Sequence, residues 1–209
     1  KIAKLGPIPA GQGATELDAT GLTILPGMID TQVHFREPGG EHKEDLATGS
    51  KAAVLGGITG VFEMPNTNPS TSTPEALKDK LDRAKGRMWC EHAFYVGATP
   101  DNITALPSLE RLPGACGVKL FMGSSTGSLL VEEPGAIAGV LRNGHRRVAV
   151  HAEDEARLRE RNPIAQSAGH PRAHPDWRDP TTALNATRQI VELARKSGRR
   201  IHVLHISTG

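Results

Sequence analysis

Aromatic residues are scarce: two Trp, one Tyr and four Phe make up 3% of the 209 residues. That argues against the stacking platforms used to grip single-stranded nucleic acid. Cysteine is scarcer still, with only Cys90 and Cys116 and no Cys-x-x-Cys spacing. A reducing cytoplasm is the simple reading, and a single disulfide stays open. A marked excess of either charge is missing too: 25 Lys and Arg against 23 Asp and Glu leave a net charge of +2, which gives no footprint for nucleic acid or a membrane surface. No apolar run approaches the ~18 residues of a membrane span, and no signal-peptide pattern is present. There is no repeat at a fixed period of about 20–50 residues, so a solenoid is not expected. What remains, 37% hydrophobic and 23% charged, is an ordinary soluble composition. The sequence opens on Lys1 rather than Met, and further N-terminal sequence is expected.

Residues 1–23 are rich in Gly and Pro and read as a small β element and connector. From there, strand-like and helix-like segments alternate. "TILPGMIDTQVHF" reads as a strand and "EHKEDLATGSKAAVLGG" as a helix closing on Gly-Gly. "ITGVFEMP" is the next strand, followed by the helix "TPEALKDKLDRAKGR" with Thr73 as cap and Pro74 at its first position. "WCEHAFYVGA" and "CGVKLFM" are strands flanking a short helical piece near 102–111. "EEPGAIAGVLRNG" is a helix, "RRVAVHAE" a strand, and "DEARLRER" starts a helix that gives way to a loop rich in Pro and His. "DPTTALNATRQIVELARKSG" is a long amphipathic helix with Ala183, Ala186, Ile190, Val191 and Ala194 on one stripe, and "RRIHVLHIST" is the last strand.

This alternation predicts an α/β protein with a parallel sheet. Six strand candidates fall about two units short of a (β/α)8 barrel. In such sheets catalytic groups sit at the C-terminal ends of strands, and the unusual residues follow that rule. His34 ends the first strand, Asn66 follows the second, Lys119 lies in the fourth, and His151 and His205 end the fifth and sixth. Strands buried on both faces should be apolar, so recurring ionisable groups at their ends need a partner, and a metal ion would provide one. On a strand, Asp30, Gln32, His34 and Arg36 share a face. His42, His92, His145, His170, His174 and His202 are read as solvated or structural. His202 and His205 are an odd step apart, so only one of them can point at a shared centre.

Five segments, "PGMIDTQVHFREPG", "EMPNTNP", "VKLFMGSSTG", "VAVHAEDEARL" and "IHVLHIST", together resemble the dihydroorotases of the cyclic amidohydrolase group. The resemblance runs over residues 20–209. It implies a partial (β/α)8 TIM barrel over 24–209, with 1–23 belonging to a small β-sandwich. It also implies a zinc centre: His34 on the first metal, Lys119 as a carboxylated bridge, and His151 and His205 on the second. Arg36 and Asn66 would hold the substrate carboxylate. The implied reaction is reversible hydrolysis of dihydroorotate to N-carbamoyl-aspartate in de novo pyrimidine biosynthesis. Neighbouring allantoinases and hydantoinases share the metal segments, but the Arg of "FREPG" is more like dihydroorotase. Implied partners are the small-molecule substrate, a second copy of the chain, and aspartate carbamoyltransferase.

Two departures qualify the match. The family pattern is Asp-x-His-x-His, and Gln32 occupies its middle position. An amide oxygen is a harder, weaker donor than imidazole and disfavours Zn²⁺. Altered occupancy of two metals, a single metal, and a non-catalytic partner of aspartate carbamoyltransferase all stay open. Second, the family's catalytic Asp is expected beyond Gly209; Asp30, Glu153 and Asp154 do not match it. The chain is accordingly expected to be an N-terminal fragment that does not itself turn over substrate.

Overall fold

The computed structural model describes residues 4–7, 15–125 and 127–208. Among them, chain order gives β1 Met28–Val33, α1 Leu46–Leu55, β2 Ile58–Glu63, α2 Pro74–Ala84, β3 Glu91–Gly97, α3 Leu106–Leu109, β4 Ala115–Phe121 and α4 Pro134–Arg142. There follow β5 Val148–His151, α5 Glu155–Ala168, α6 His174–Trp177, α7 Pro180–Ser197 and β6 Ile201–Val203. All neighbouring pairs are parallel, and the strand order is β1-β2-β3-β4-β5-β6. A doubly wound sheet reverses direction part-way through its order; an order that never reverses is that of a barrel. The six strands form a curled half-barrel with the helices outside, as the sequence predicts.

The helices begin where local chemistry allows. The Asp45 carboxylate accepts the Thr48 N–H at 2.8 Å and caps α1; Thr73 Oγ1 accepts the Ala76 N–H at 3.2 Å and caps α2 ahead of Pro74. The α5 helix runs further than expected: it passes through Pro163 and stops only at Gly169, whose φ of +57° suits glycine. The loop expected after Arg161 is therefore seven residues shorter at its start than the Pro signal suggests. A proline costs one helical hydrogen bond and some crowding, and here the flanking turns tolerate it.

Alternation along the strands sorts two cores. Val61, Phe94, Val96, Val118, Leu120, Val148 and Val150 face the helices, where they meet Leu77, Ile137, Val140, Ala186 and Ile190. Each large side chain so buried contributes about 1.5–3 kcal/mol. The opposite, inner side holds a smaller cluster of Met64, Tyr95, Ala149 and Leu204, with Phe62 and Cys116 packed against it. Residues 4–7 and 15–23 carry no strand, and 1–3 and 8–14 lie outside the described residues. The β-sandwich expected for 1–23 thus falls partly on positions not described.

Candidate active site

The strand ends bring four of the expected residues to one place. Lys119 lies on the inner side of β4, one step from the helix-facing Val118 and Leu120. Its side chain is 1% exposed, its Nζ has no hydrogen-bond partner among the described residues, and it sits 4.3 Å from the centre of the Phe121 ring. Burial pulls its amine down to about 7, because charge is disfavoured out of water. His34, just past β1, is pulled down to about 4, first by burial and then by the charges of Arg36 and Lys119. Its imidazole is therefore neutral, and the Asn66 side chain hydrogen-bonds to it.

The other two histidines face each other. His151 Nδ1 lies 3.1 Å from His205 Nε2, and burial, followed by the neighbouring His151 and Lys119, lowers the His205 pKa. Strict alternation would not have delivered His205 here. In β6, His202 pairs in register with inner-facing Ala149, while Ile201 and Val203 pack on the helix side. His205 falls on the helix-side parity, but its backbone adopts φ +37° and the ring turns back to His151. Of the two histidines it is His205 that faces His151, and the left-handed turn, not the strand, brings it there. His202 is exposed on the edge strand.

The expected row Asp30, Gln32, His34 and Arg36 is not a single face. The pairing of β1 with β2 slips between Asp30 and Val33, a bulge that breaks the period of two. Asp30 is exposed and its carboxylate accepts the Gln32 N–H at 2.9 Å. The Gln32 side chain makes no hydrogen bond among the described residues. Arg36 lies beyond the strand at φ +65°, where its charge acts on both His34 and Glu63.

Two residues beside the histidines were missed by the sequence reading. Glu153 Oε2 accepts from His151 Nε2 at 2.6 Å and also from Arg178 Nη1. Burial opposes ionisation of Glu153, but those two partners hold its carboxyl below the usual range. An acid two residues past a strand-end histidine was a readable hint for Glu153. Nothing local pointed to Arg178, which comes from the far end of α6. Beside them opens a cavity of about 630 Å³ lined by His151, Glu153, Trp177, Arg178 and His205.

Among the described residues no three His, Cys, Asp or Glu side chains are grouped to hold a metal ion. The donor set nonetheless fits one if Lys119 is counted. The 3.1 Å between His151 Nδ1 and His205 Nε2 compares with about 3.3 Å between two nitrogens on a tetrahedral zinc with 2.0–2.1 Å bonds. The buried Lys119 amine, without a hydrogen-bond partner among the described residues, would supply a further donor if it carried an anionic group. His34 and Gln32 offer one imidazole and one amide, so the first site is poorer.

Comparison with known proteins gives likenesses for the sequence and the fold. Residues 21–109 match the dihydro-orotase-like family. Over 220 aligned positions the chain is 35% identical to the allantoinases of Salmonella paratyphi B and Salmonella newport, covering 100% of this chain and 48% of each relative. These likenesses are to members of the cyclic amidohydrolase superfamily. Two solved amidohydrolases share its fold. L-Hydantoinase (dihydropyrimidinase) from Arthrobacter aurescens superposes with a TM-score of 0.81 at 27% identity, over 91% of this chain and 44% of that one. D-Hydantoinase from Bacillus sp. AR9 gives 0.82 at 26%, over 95% and 45%. The chain spans about half the length of the curated relatives it matches. No helix among its described residues is long and apolar enough to cross a membrane.

Proposed function

We propose that the full-length protein is a zinc-dependent cyclic amidohydrolase whose ring substrate carries a carboxylate, as dihydroorotate does in its equilibrium with N-carbamoyl-aspartate. The supporting observation is Arg36: its guanidinium makes no hydrogen bond among the described residues, yet its charge is felt at His34. A planar fork of donors beside the centre matches a carboxylate; the uncharged rings of hydantoins and allantoin offer it nothing comparable. His151, His205, Lys119 and His34 would hold the metal, which when bound polarises the ring carbonyl and lowers the pKa of a water. Arg36 orients the ring by its carboxylate. Asn66 holds the His34 imidazole by its hydrogen bond. The low pKa of Lys119 leaves much of it as the neutral amine that takes up CO₂. Glu153 is committed to His151 and Arg178 and Asp30 is exposed, so neither carries the proton at the ring nitrogen.

A second reading, allantoin or hydantoin hydrolysis, is favoured by the 35% identity to allantoinases. A third, a non-catalytic homologue bound to aspartate carbamoyltransferase, is favoured by Gln32. Purified full-length protein should cyclise N-carbamoyl-aspartate. Arg36→Ala should lower kcat/KM for it by about 10–150-fold, the loss of a charged hydrogen-bonded pair of about 1.5–3 kcal/mol. Turnover of allantoin or hydantoin with an Arg36→Ala variant unimpaired would overturn the carboxylate reading. No turnover of any of these, with fewer than one Zn²⁺ per chain, would favour the scaffold.

A further inference from the structure

The groups that hold His151 reach well beyond the strand ends. His151 is 11% exposed, Glu153 15% and Arg178 16%, so the three are joined largely out of water. Glu153 Oε2 accepts from the imidazole on one side and from Arg178 Nη1 on the other. Arg178 is itself held: Nη2 donates to the Ser124 carbonyl at 2.9 Å, and its guanidinium lies 4.5 Å from the Trp177 ring. Trp177 is anchored in turn, its Nε1 donating to the Leu158 carbonyl at 2.8 Å. The short α6 segment, between the long helices α5 and α7, therefore delivers a fixed cation to a carboxylate that grips one face of His151.

An ionised carboxylate can only accept. With Glu153 on Nε2, that nitrogen carries the proton, and the lone pair of the neutral ring is on Nδ1. Nδ1 is the atom facing His205 Nε2 at 3.1 Å. Without Glu153 the ring is free to change tautomer or to turn, and the lone pair no longer faces its neighbour. Without Arg178 the carboxylate keeps its bond to His151 but loses the partner that fixes its position.

From this geometry we infer that Glu153, held by Arg178 and Trp177, is a positioning residue that fixes His151 in the Nε2–H tautomer with Nδ1 presented to the metal site. The inference rests on the metal-site reading above, but it makes a claim about the metal-free protein that stands apart from it. Partners of this kind on a ligating histidine are typically worth 10–100-fold in metal affinity.

The test uses metal-free full-length protein labelled with ¹⁵N-histidine, with the His151 tautomer read from long-range ¹H–¹⁵N correlations, and Zn²⁺ affinity measured by chelator competition. In the unsubstituted protein His151 should show a single Nε2–H form. Glu153→Ala should give a mixture of tautomers and about 10–100-fold weaker Zn²⁺ binding. Glu153→Gln, whose amide oxygen can still accept from Nε2–H, should recover part of both. Arg178→Ala should fall between, with the far-UV circular dichroism of all three unchanged. Should Glu153→Ala not fold, Glu153→Gln and Arg178→Ala carry the comparison. An unchanged tautomer together with Zn²⁺ affinity within twofold across the folded variants would overturn the inference. If the unsubstituted protein binds no Zn²⁺, the proposed function fails, while the tautomer comparison still decides the role of Glu153.

Discussion

Removing the Glu110 carboxylate should weaken the fold sharply while leaving the strand-end site in place. Glu110 is 1% exposed and Arg199 8%. The carboxylate accepts the His145 N–H at 2.5 Å, the Arg146 N–H at 3.1 Å and Arg199 Nη2 at 2.9 Å. It thereby ties the end of α3 to the turn before β5 and to the turn before β6, all at the N-terminal ends of the strands. Gly144 (φ +95°) packs against it so closely that a Cβ would stand 2.7 Å from Oε2. Two further Arg199 nitrogens, Nε and Nη1, are buried with no hydrogen-bond partner among the described residues, so Glu110 is the main compensation for that charge. Breaking a buried pair from one side costs about 3–5 kcal/mol, because the remaining charge is left uncompensated. With a urea slope of about 3 kcal/mol per M, Glu110→Ala should lower the unfolding midpoint by about 1–1.7 M. Circular dichroism during urea titration of the full-length protein reads this. Glu110→Met with Arg199→Met should recover most of the loss, since apolar replacement of both partners is often neutral. A single-variant shift below about 0.3 M, or a double variant weaker than the single, would refute the reasoning. Zn²⁺ binding should be unaffected, because the pair lies at the opposite end of the strands from the histidines.

The Lys80–Glu63 pair should behave in the same way: Lys80 is 0% exposed, bonds Glu63 and donates to the Met64 carbonyl at 3.0 Å. Lys80→Met alone should cost about 3–5 kcal/mol, and Lys80→Met with Glu63→Leu much less; equal losses in urea titrations would contradict this. Asp179 caps α7 by accepting from the Thr182 N–H at 3.0 Å, and it also bonds Arg157. Asp179→Ala should cost about 1 kcal/mol at neutral pH. Its carboxyl is held well below the usual 3.8 by Arg157 and Thr182. The contribution is therefore present above that value and lost as pH falls through the lowered one. Thermal melts should show the gap between the two proteins narrowing on acidification below about pH 4, and a gap that widens there would be inconsistent with the assignment.

Much of the architecture was legible because it follows from local rules. Thr73 and Pro74 mark the start of α2, and apolar alternation marks β2 to β5. Recurring His and Lys at strand ends point to a shared centre. The misreadings have identifiable causes. Pro163 is a breaker by propensity, but α5 carries it. Asp30 shares the parity of His34 in sequence, yet the slip in the β1–β2 register separates them. His205 sits on the wrong parity for the site and arrives there through one left-handed residue.

By itself, then, the order of residues determined the alternation of strands and helices, the polar groups at the strand ends, and the anomaly at Gln32, because each depends on neighbours a few positions away. Only the tertiary structure decided that Lys119 Nζ is buried without a partner, that His151 and His205 face each other, and that Arg178 grips Glu153. Those facts depend on distances between segments 25 to 86 residues apart in the chain, which the curl of the sheet and the packing of α5 to α7 set.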